Sequence, residues 1–149
     1  MVVFIYPISG IGEIKEGVKL GEAIVEALHK NNLIILKGDI IVVTSKVVSK
    51  AEGRLVKLNS IKPSLKAVKL AERLNKDPRI VELILKESRR VLKVERGIII
   101  TRTKHGIVCA NSGVDQSNVP EGYAALLPKD PDRSAKKIAE QIEARTGVK

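Results

Sequence analysis

Apolar positions along the chain recur at two spacings, and each predicts a different element. Leu20, Ile24, Val25 and Leu28 share one helical face, with Gly17 or Gly21 near the start of that helix. A second helix follows Pro63-Ser64 and places Ala67, Leu70, Ala71 and Leu74 at helical spacing. A third begins at Asp77-Pro78, a capping residue followed by proline at the first helical position. Its apolar face runs through Ile80, Val81, Ile84 and Leu85 and on to Val91 and Leu92, wide enough for burial between layers. The last helix repeats the start signal at Asp130-Pro131, shows Ala135, Ile138, Ala139 and Ile142 on one side, and stops near Gly147.

Strand-like runs lie between them. Residues 2–6, 39–44 and 54–58 are predicted strands, as are 98–103 and 107–110, a hairpin whose turn is Lys104-His105-Gly106. Residues 124–127 form a further short strand. Strands and helices mix without regular βαβ alternation. The predicted fold class is therefore α+β, a mixed and largely antiparallel sheet with about four helices. No internal repeat or low-complexity segment appears, and 149 residues suit one domain spanning 1–149.

Composition narrows the class. The chain is 44% apolar and 30% charged, as expected of a soluble globular protein. No apolar run reaches the roughly 20 residues that span a bilayer. A single cysteine precludes an internal disulfide, which makes a cytoplasmic location the expectation. Phe4, Tyr6 and Tyr123 are the only aromatics, so Ile, Val, Leu and Ala must build the core. Abundant Lys, Glu and Arg with β-branched filling resembles a thermophile's composition. The net charge of +10 suits either nucleic acid or small polyanions such as nucleotides. Basic residues are spread along the helices and stacking aromatics are scarce, which argues against nucleic acid.

Three segments could carry chemistry. Asn111-Ser112-Gly113-Val114-Asp115-Gln116-Ser117-Asn118 follows the apolar run ending at Ala110. Such residues are expected to bury little and instead to present N–H groups, amides and a carboxylate to a ligand. Asp115 is the candidate ligand for Mg²⁺ or Mn²⁺, and an Asx-turn role suits it equally. Thr44-Ser45-Lys46-Val47-Val48-Ser49-Lys50 reads as a strand exit, whose hydroxyls and ammoniums suit phosphate oxygens or simply solvent. Ser9-Gly10-Ile11-Gly12-Glu13-Ile14-Lys15 has two glycines that let backbone approach a ligand, and an ordinary turn has the same composition. The P-loop glycine spacing is missing. His29 and His105 read as surface or turn residues and Cys109 as packed within a strand. No Cys/His set has zinc-ligand spacing.

These segments occur in an order that resembles the coenzyme F420-0:L-glutamate ligase family, the gamma-glutamyl ligases that elongate the tail of a deazaflavin coenzyme. The resemblance runs through Ile14-Lys15-Glu16-Gly17, the stretches 38–46 and 49–54, Glu82-Leu83-Ile84-Leu85-Lys86-Glu87-Ser88, residues 111–119 and Leu127-Pro128-Lys129-Asp130-Pro131-Asp132. It covers essentially the whole chain and corresponds to the N-terminal part of the ligase.

The resemblance implies a GTP-dependent amide ligase that adds L-glutamate to coenzyme F420-0, with Mg²⁺ or Mn²⁺, and in some cases a monovalent cation, as cofactors. By position, Asp115 matches a metal-binding aspartate and Asn118 a nucleotide contact. Ser45, Lys46 and Lys50 match the nucleotide-binding strand exit, and Gly12, Glu13, Ile14 and Lys15 the N-terminal nucleotide loop. Gly12 stands where the family commonly has proline, and Lys46 where the residue is not always basic. Family members continue into a strand with an Asp-Thr motif that supplies further metal ligands. The resemblance therefore implies an incomplete active site in this chain, a homodimer, and a separate chain as one source of the missing C-terminal part. A non-catalytic nucleotide-binding or dimerisation module derived from the ligase is the alternative, ahead of a basic nucleic-acid-binding protein.

Overall fold

The computed structural model describes residues 2–149. The chain divides into two units, Arg54–Lys129 and the pairing of Met1–Gly53 with Asp130–Lys149. Among the described residues there are five α-helices and two sheets, both antiparallel, which makes the fold α+β.

The contiguous unit, Arg54–Lys129, holds β1 (Leu55–Lys57), α3 (Leu65–Leu74), α4 (Pro78–Glu87), β2 (Ser88–Glu95), β3 (Ile98–Thr103), β4 (Val108–Ala110) and β5 (Tyr123–Ala125). Its two middle helices start where their caps stand. Ser64 Oγ accepts from Ala67 N–H ahead of α3, and Asp77 Oδ1 accepts from Arg79 N–H ahead of α4, with Pro78 in the first turn. Strand β1 pairs with β5, while β2, β3 and β4 form a three-stranded sheet. Val81, Ile84, Ile99, Ala67 and Ala124 are completely buried in the core between helices and sheets.

One boundary differs from the periodicity. Val91 and Leu92, expected on the third helix, belong to β2. That strand slips register against β3 twice, between Ser88 and Arg90 and again between Val91 and Lys93. The slips leave Val91 and Val94 as its half-buried apolar residues, packed against the core. An inward spacing of three, produced by bulges, has the same signature as a helix face.

The discontinuous unit contains α1 (Leu20–Lys30), α2 (Ser45–Ala51) and α5 (Pro131–Thr146). Helices α1 and α5 bury Ile24, Val25, Leu28 and Ile142 together. Gly21 permits their close approach: its N–H donates to Gln141 Oε1 at 2.8 Å, and an added Cβ would sit 2.7 Å from Ile138 O. Asp130 caps α5 by accepting from Arg133 N–H, and Gly147 ends it in the left-handed region at φ 71°. Ala135 and Ala139, expected on the buried face of α5, are exposed, while Ser134 is buried.

Two expected strands are absent as such. Residues 2–6 and 39–44 belong to no sheet. The polar run after residue 44 is the additional helix α2, where Val47, Val48 and Ala51 take helical spacing and pack with Ile14 and Leu20.

Glu82 is a buried carboxylate of α4. It accepts from both N–H (3.0 Å) and Oγ (2.7 Å) of Ser64, and Lys86 Nζ lies 3.5 Å away. The Ser64 hydroxyl, then its N–H, hold the carboxyl below its ordinary value of 4.5. A depressed folded pKa stabilises the protein above the unfolded value, and that stability is lost as pH falls through the folded one. Glu82→Gln should therefore be less stable than wild type near pH 6, with the gap closing as pH falls below the ordinary carboxyl value of 4.5 and through the lowered folded one. Urea midpoints across that range measure it.

Candidate functional site

The loop after β4 is anchored from below. Asn111–Gly113 forms one tight left-handed turn, with Asn111 and Ser112 both at φ 52°. Contrary to the expectation that this run buries little, Ser112 is 1% exposed and Val114 lies in the core. Ser112 N–H donates to Thr101 Oγ1 (3.1 Å) and Ser112 Oγ donates to Ile84 O (2.9 Å). The two hydroxyl oxygens lie 2.9 Å apart, and Thr101 Oγ1 also donates towards Cys109 O at 3.3 Å. Gly113, at φ 70°, has no room for a side chain, since a Cβ would fall 2.6 Å from Leu127 Cγ.

Above this base the loop turns outward. Asp115 is fixed by a two-way backbone bridge, its N–H donating to Ala125 O (3.0 Å) and its carbonyl accepting from Ala125 N–H (2.8 Å). Its Oδ1 accepts from Ser117 N–H and its Oδ2 from Ser117 Oγ, each at 2.9 Å. That is the Asx turn, with the carboxylate presented on a rigid backbone. Asn118, exposed at φ 54°, follows.

The remaining candidates lie in the discontinuous unit and are held together there. Ile14 is buried against Val48 of α2, so only its backbone can meet a ligand. Gly17 N–H donates to Ala51 O at 2.9 Å, and the Glu16 carboxylate occupies the space where Gly53, at φ 65°, lacks a Cβ. These ties join the Gly12, Glu13 and Lys15 loop to the helix carrying Ser45, Lys46 and Lys50. Gly12 has φ 75° and open space around it. Ser45 opens α2 and is exposed, with its carbonyl accepting from the buried Ser49 hydroxyl at 2.8 Å; Lys46 and Lys50 are half-buried. The lysines thus project from a helix and not from a strand exit.

A model of the family described as F420-0:Gamma-glutamyl ligase matches residues 10–149. The chain belongs to this family. It is 43% identical to the coenzyme F420:L-glutamate ligase of Methanothermobacter thermautotrophicus over 99% of its own length and 58% of that protein. The ligase of Methanopyrus kandleri matches at 43% identity, over 97% of this chain and 55% of the relative. That of Archaeoglobus fulgidus matches at 40%, over 99% and 57%. The chain thus spans little more than half the length of the curated relatives it matches.

The candidate residues of this ligase-family chain fall into both units: Asp115 and Asn118 in the contiguous one, the nucleotide-loop and α2 residues in the other. Among the described residues no three His, Cys, Asp or Glu side chains gather as a metal cluster. Mg²⁺ and Mn²⁺ typically use one or two protein carboxylates with phosphate oxygens and water, so Asp115 fits as one ligand of several. Cys109 is half-buried, and burial pushes its thiol pKa up, which suits packing and not nucleophilic attack. His105 is exposed at the hairpin turn, and His29 is exposed in the last turn of α1.

What motif reading misses is the Thr101–Ser112 pair that supports the loop. Its signal is the hydroxyl at every second position of β3, Thr101 and Thr103, in line with the fully buried Ile99. Ser112→Ala removes the hydroxyl's bonds to Thr101 and Ile84 O. It leaves Thr101 with the residue-112 N–H and Cys109 O, and Ile84 O with the Ser88 N–H, so it should lower unfolding free energy by about 0.5–1.5 kcal/mol. Ser117→Ala, on the exposed rim, should change it by less than about 0.5 kcal/mol. Urea denaturation of the two variants compares them directly.

Proposed function

We propose that this chain forms the nucleotide- and metal-facing part of a GTP-dependent gamma-glutamyl ligase that joins L-glutamate to coenzyme F420-0. The observation that carries the reading is the family match across residues 10–149, which includes every candidate site residue. The geometry described above supports it: Asp115 on a bridged backbone, and the Gly12–Lys15 loop tied to the lysines of α2.

The reaction couples two transfers. An oxygen of the F420-0 terminal carboxylate takes the γ-phosphoryl group of GTP, and GDP leaves. The amine of L-glutamate then attacks the acyl phosphate carbonyl; phosphate departs, the nitrogen loses a proton and an amide remains. Little of this asks for covalent help from the protein, so positioning and charge stabilisation dominate. In this reading Gly12, Glu13 and Ile14 bring backbone close to the nucleotide. Lys15, Lys46 and Lys50 offer point charges to the phosphates, and Ser45 and Asn118 offer hydrogen bonds. Asp115 holds Mg²⁺ or Mn²⁺, which when bound screens the triphosphate. A monovalent cation, a homodimeric assembly and a cytoplasmic setting belong to the same proposal, as does further polypeptide that completes the metal ligands. For the described residues, no helix is long and apolar enough to cross a membrane.

GTP with Mn²⁺ at about a hundred times its Kd should raise Tm by roughly 5–10 °C. Asp115→Ala should remove the metal-dependent part of that shift and retain wild-type far-UV circular dichroism. An unchanged Tm in the wild-type protein counts against the nucleotide site. The chain alone, given GTP, L-glutamate and F420-0, should form little product; sustained turnover would show that its own residues complete the site.

A further inference from the structure

Residues 33–36 and 39–43 run extended on either side of a tight turn, in which Asp39 N–H donates to Leu36 O at 3.1 Å, Leu36 N–H donates to Asp39 Oδ2 at 2.8 Å and Gly38 has φ 96°. Their side chains alternate. Leu33, Ile35, Ile41 and Val43 pack on the core that α1 and α5 share. Ile34, Leu36, Ile40 and Val42 point the other way and are 84%, 64%, 85% and 88% exposed. Residues 2–6, all apolar or aromatic, are each at least 64% exposed. Neither arm of the turn, nor the 2–6 segment, takes part in a β-ladder.

A strand with water on one face alternates apolar and polar residues; one apolar on both faces is built to lie between two layers. Here the inner layer is present and the outer one is not. Backbone groups along the two arms are also without a ladder, which is the condition under which an added strand binds by main-chain hydrogen bonds and side-chain pockets together. Exposed apolar surface on this scale marks an interaction site in a folded protein. No charged group stands at the four outward positions, so the surface does not suit a phosphate-bearing ligand. In the relatives, roughly two fifths of the polypeptide lies outside the part this chain matches.

We propose that the outward face of residues 34–42, with the 2–6 segment, is the docking surface for that remaining polypeptide, which adds strands beside the two arms and lays apolar side chains over Ile34, Leu36, Ile40 and Val42. The polypeptide does so whether continuous with this chain or separate from it. The proposal rests on family membership and not on the GTP reading, and its test contains no nucleotide, so the two stand or fall separately.

The experiment co-expresses this chain with the segment of the Methanothermobacter thermautotrophicus relative that lies outside the match. Light scattering should give a 1:1 complex. Hydrogen exchange at the amides of residues 34 and 40–42 should slow by at least ~10-fold in it relative to the chain alone. The double variant Ile40→Lys/Val42→Lys, placed on the exposed face, should weaken the complex by at least ~10-fold with unchanged helical circular dichroism. A 1:1 complex that tolerates both lysines and leaves these amides unprotected would overturn the assignment. So would a homodimer that protects them with the segment excluded, or a failure to form any complex on co-expression.

Discussion

The candidate loop depends on one buried serine. Ser112 occupies a left-handed conformation that a non-glycine residue adopts at some cost, and it does so almost without solvent contact. Three hydrogen bonds, to Thr101 twice and to the Ile84 carbonyl, hold it there. A buried polar group is tolerable only when satisfied, so the node also dictates what must surround it: a hydroxyl on β3 and the C-terminal turn of α4. The Arg54–Glu87 pair works nearby, with Arg54 Nε donating to Leu127 O at 3.0 Å and its guanidinium 3.0 Å from Glu87. Through these contacts the path from β4 to β5 is set before Asp115 is reached, and the carboxylate inherits its position from the core.

Local signals were legible wherever one residue decides the outcome. Asp77-Pro78 and Asp130-Pro131 start helices because a carboxylate satisfies an N–H that nothing else reaches and proline tolerates the first turn. Gly106 and Gly147 mark a turn and a stop because both adopt positive φ. Where several residues decide jointly, the pattern misled. Two register slips gave β2 the spacing of a helix, and a seven-residue helix rich in valine and lysine passed for a strand exit. Residues 2–6 and 39–44 have strand composition, but a strand is a property of two segments, and no ladder partner is present.

The site divides in the same way. Asp115, Asn118, the Gly12–Lys15 loop and the basic residues of α2 stand out as residue types. The motif order points to the family, and the match over residues 10–149 shows it. Their scaffolding does not stand out. Thr101, Ile14 and Gly113 act by burial, by anchoring a loop and by leaving space for Leu127, and none of those acts has a motif. Reading chemistry from sequence thus singles out candidate ligand-facing groups more readily than the groups that hold them in place.

The hydrogen bond from Leu126 N–H to Arg54 O, 3.0 Å, places the entry and exit of the contiguous unit side by side. A segment whose ends meet in this way has the form of a cassette inserted into its host. During synthesis it can close its core as soon as residue 129 has left the ribosome. The host must wait: α1 has no complete partner until Ile138 and Ile142 of α5 arrive, more than a hundred residues after Ile24. The order of completion is therefore the reverse of the order of appearance, and the first helix made is among the last to be buried.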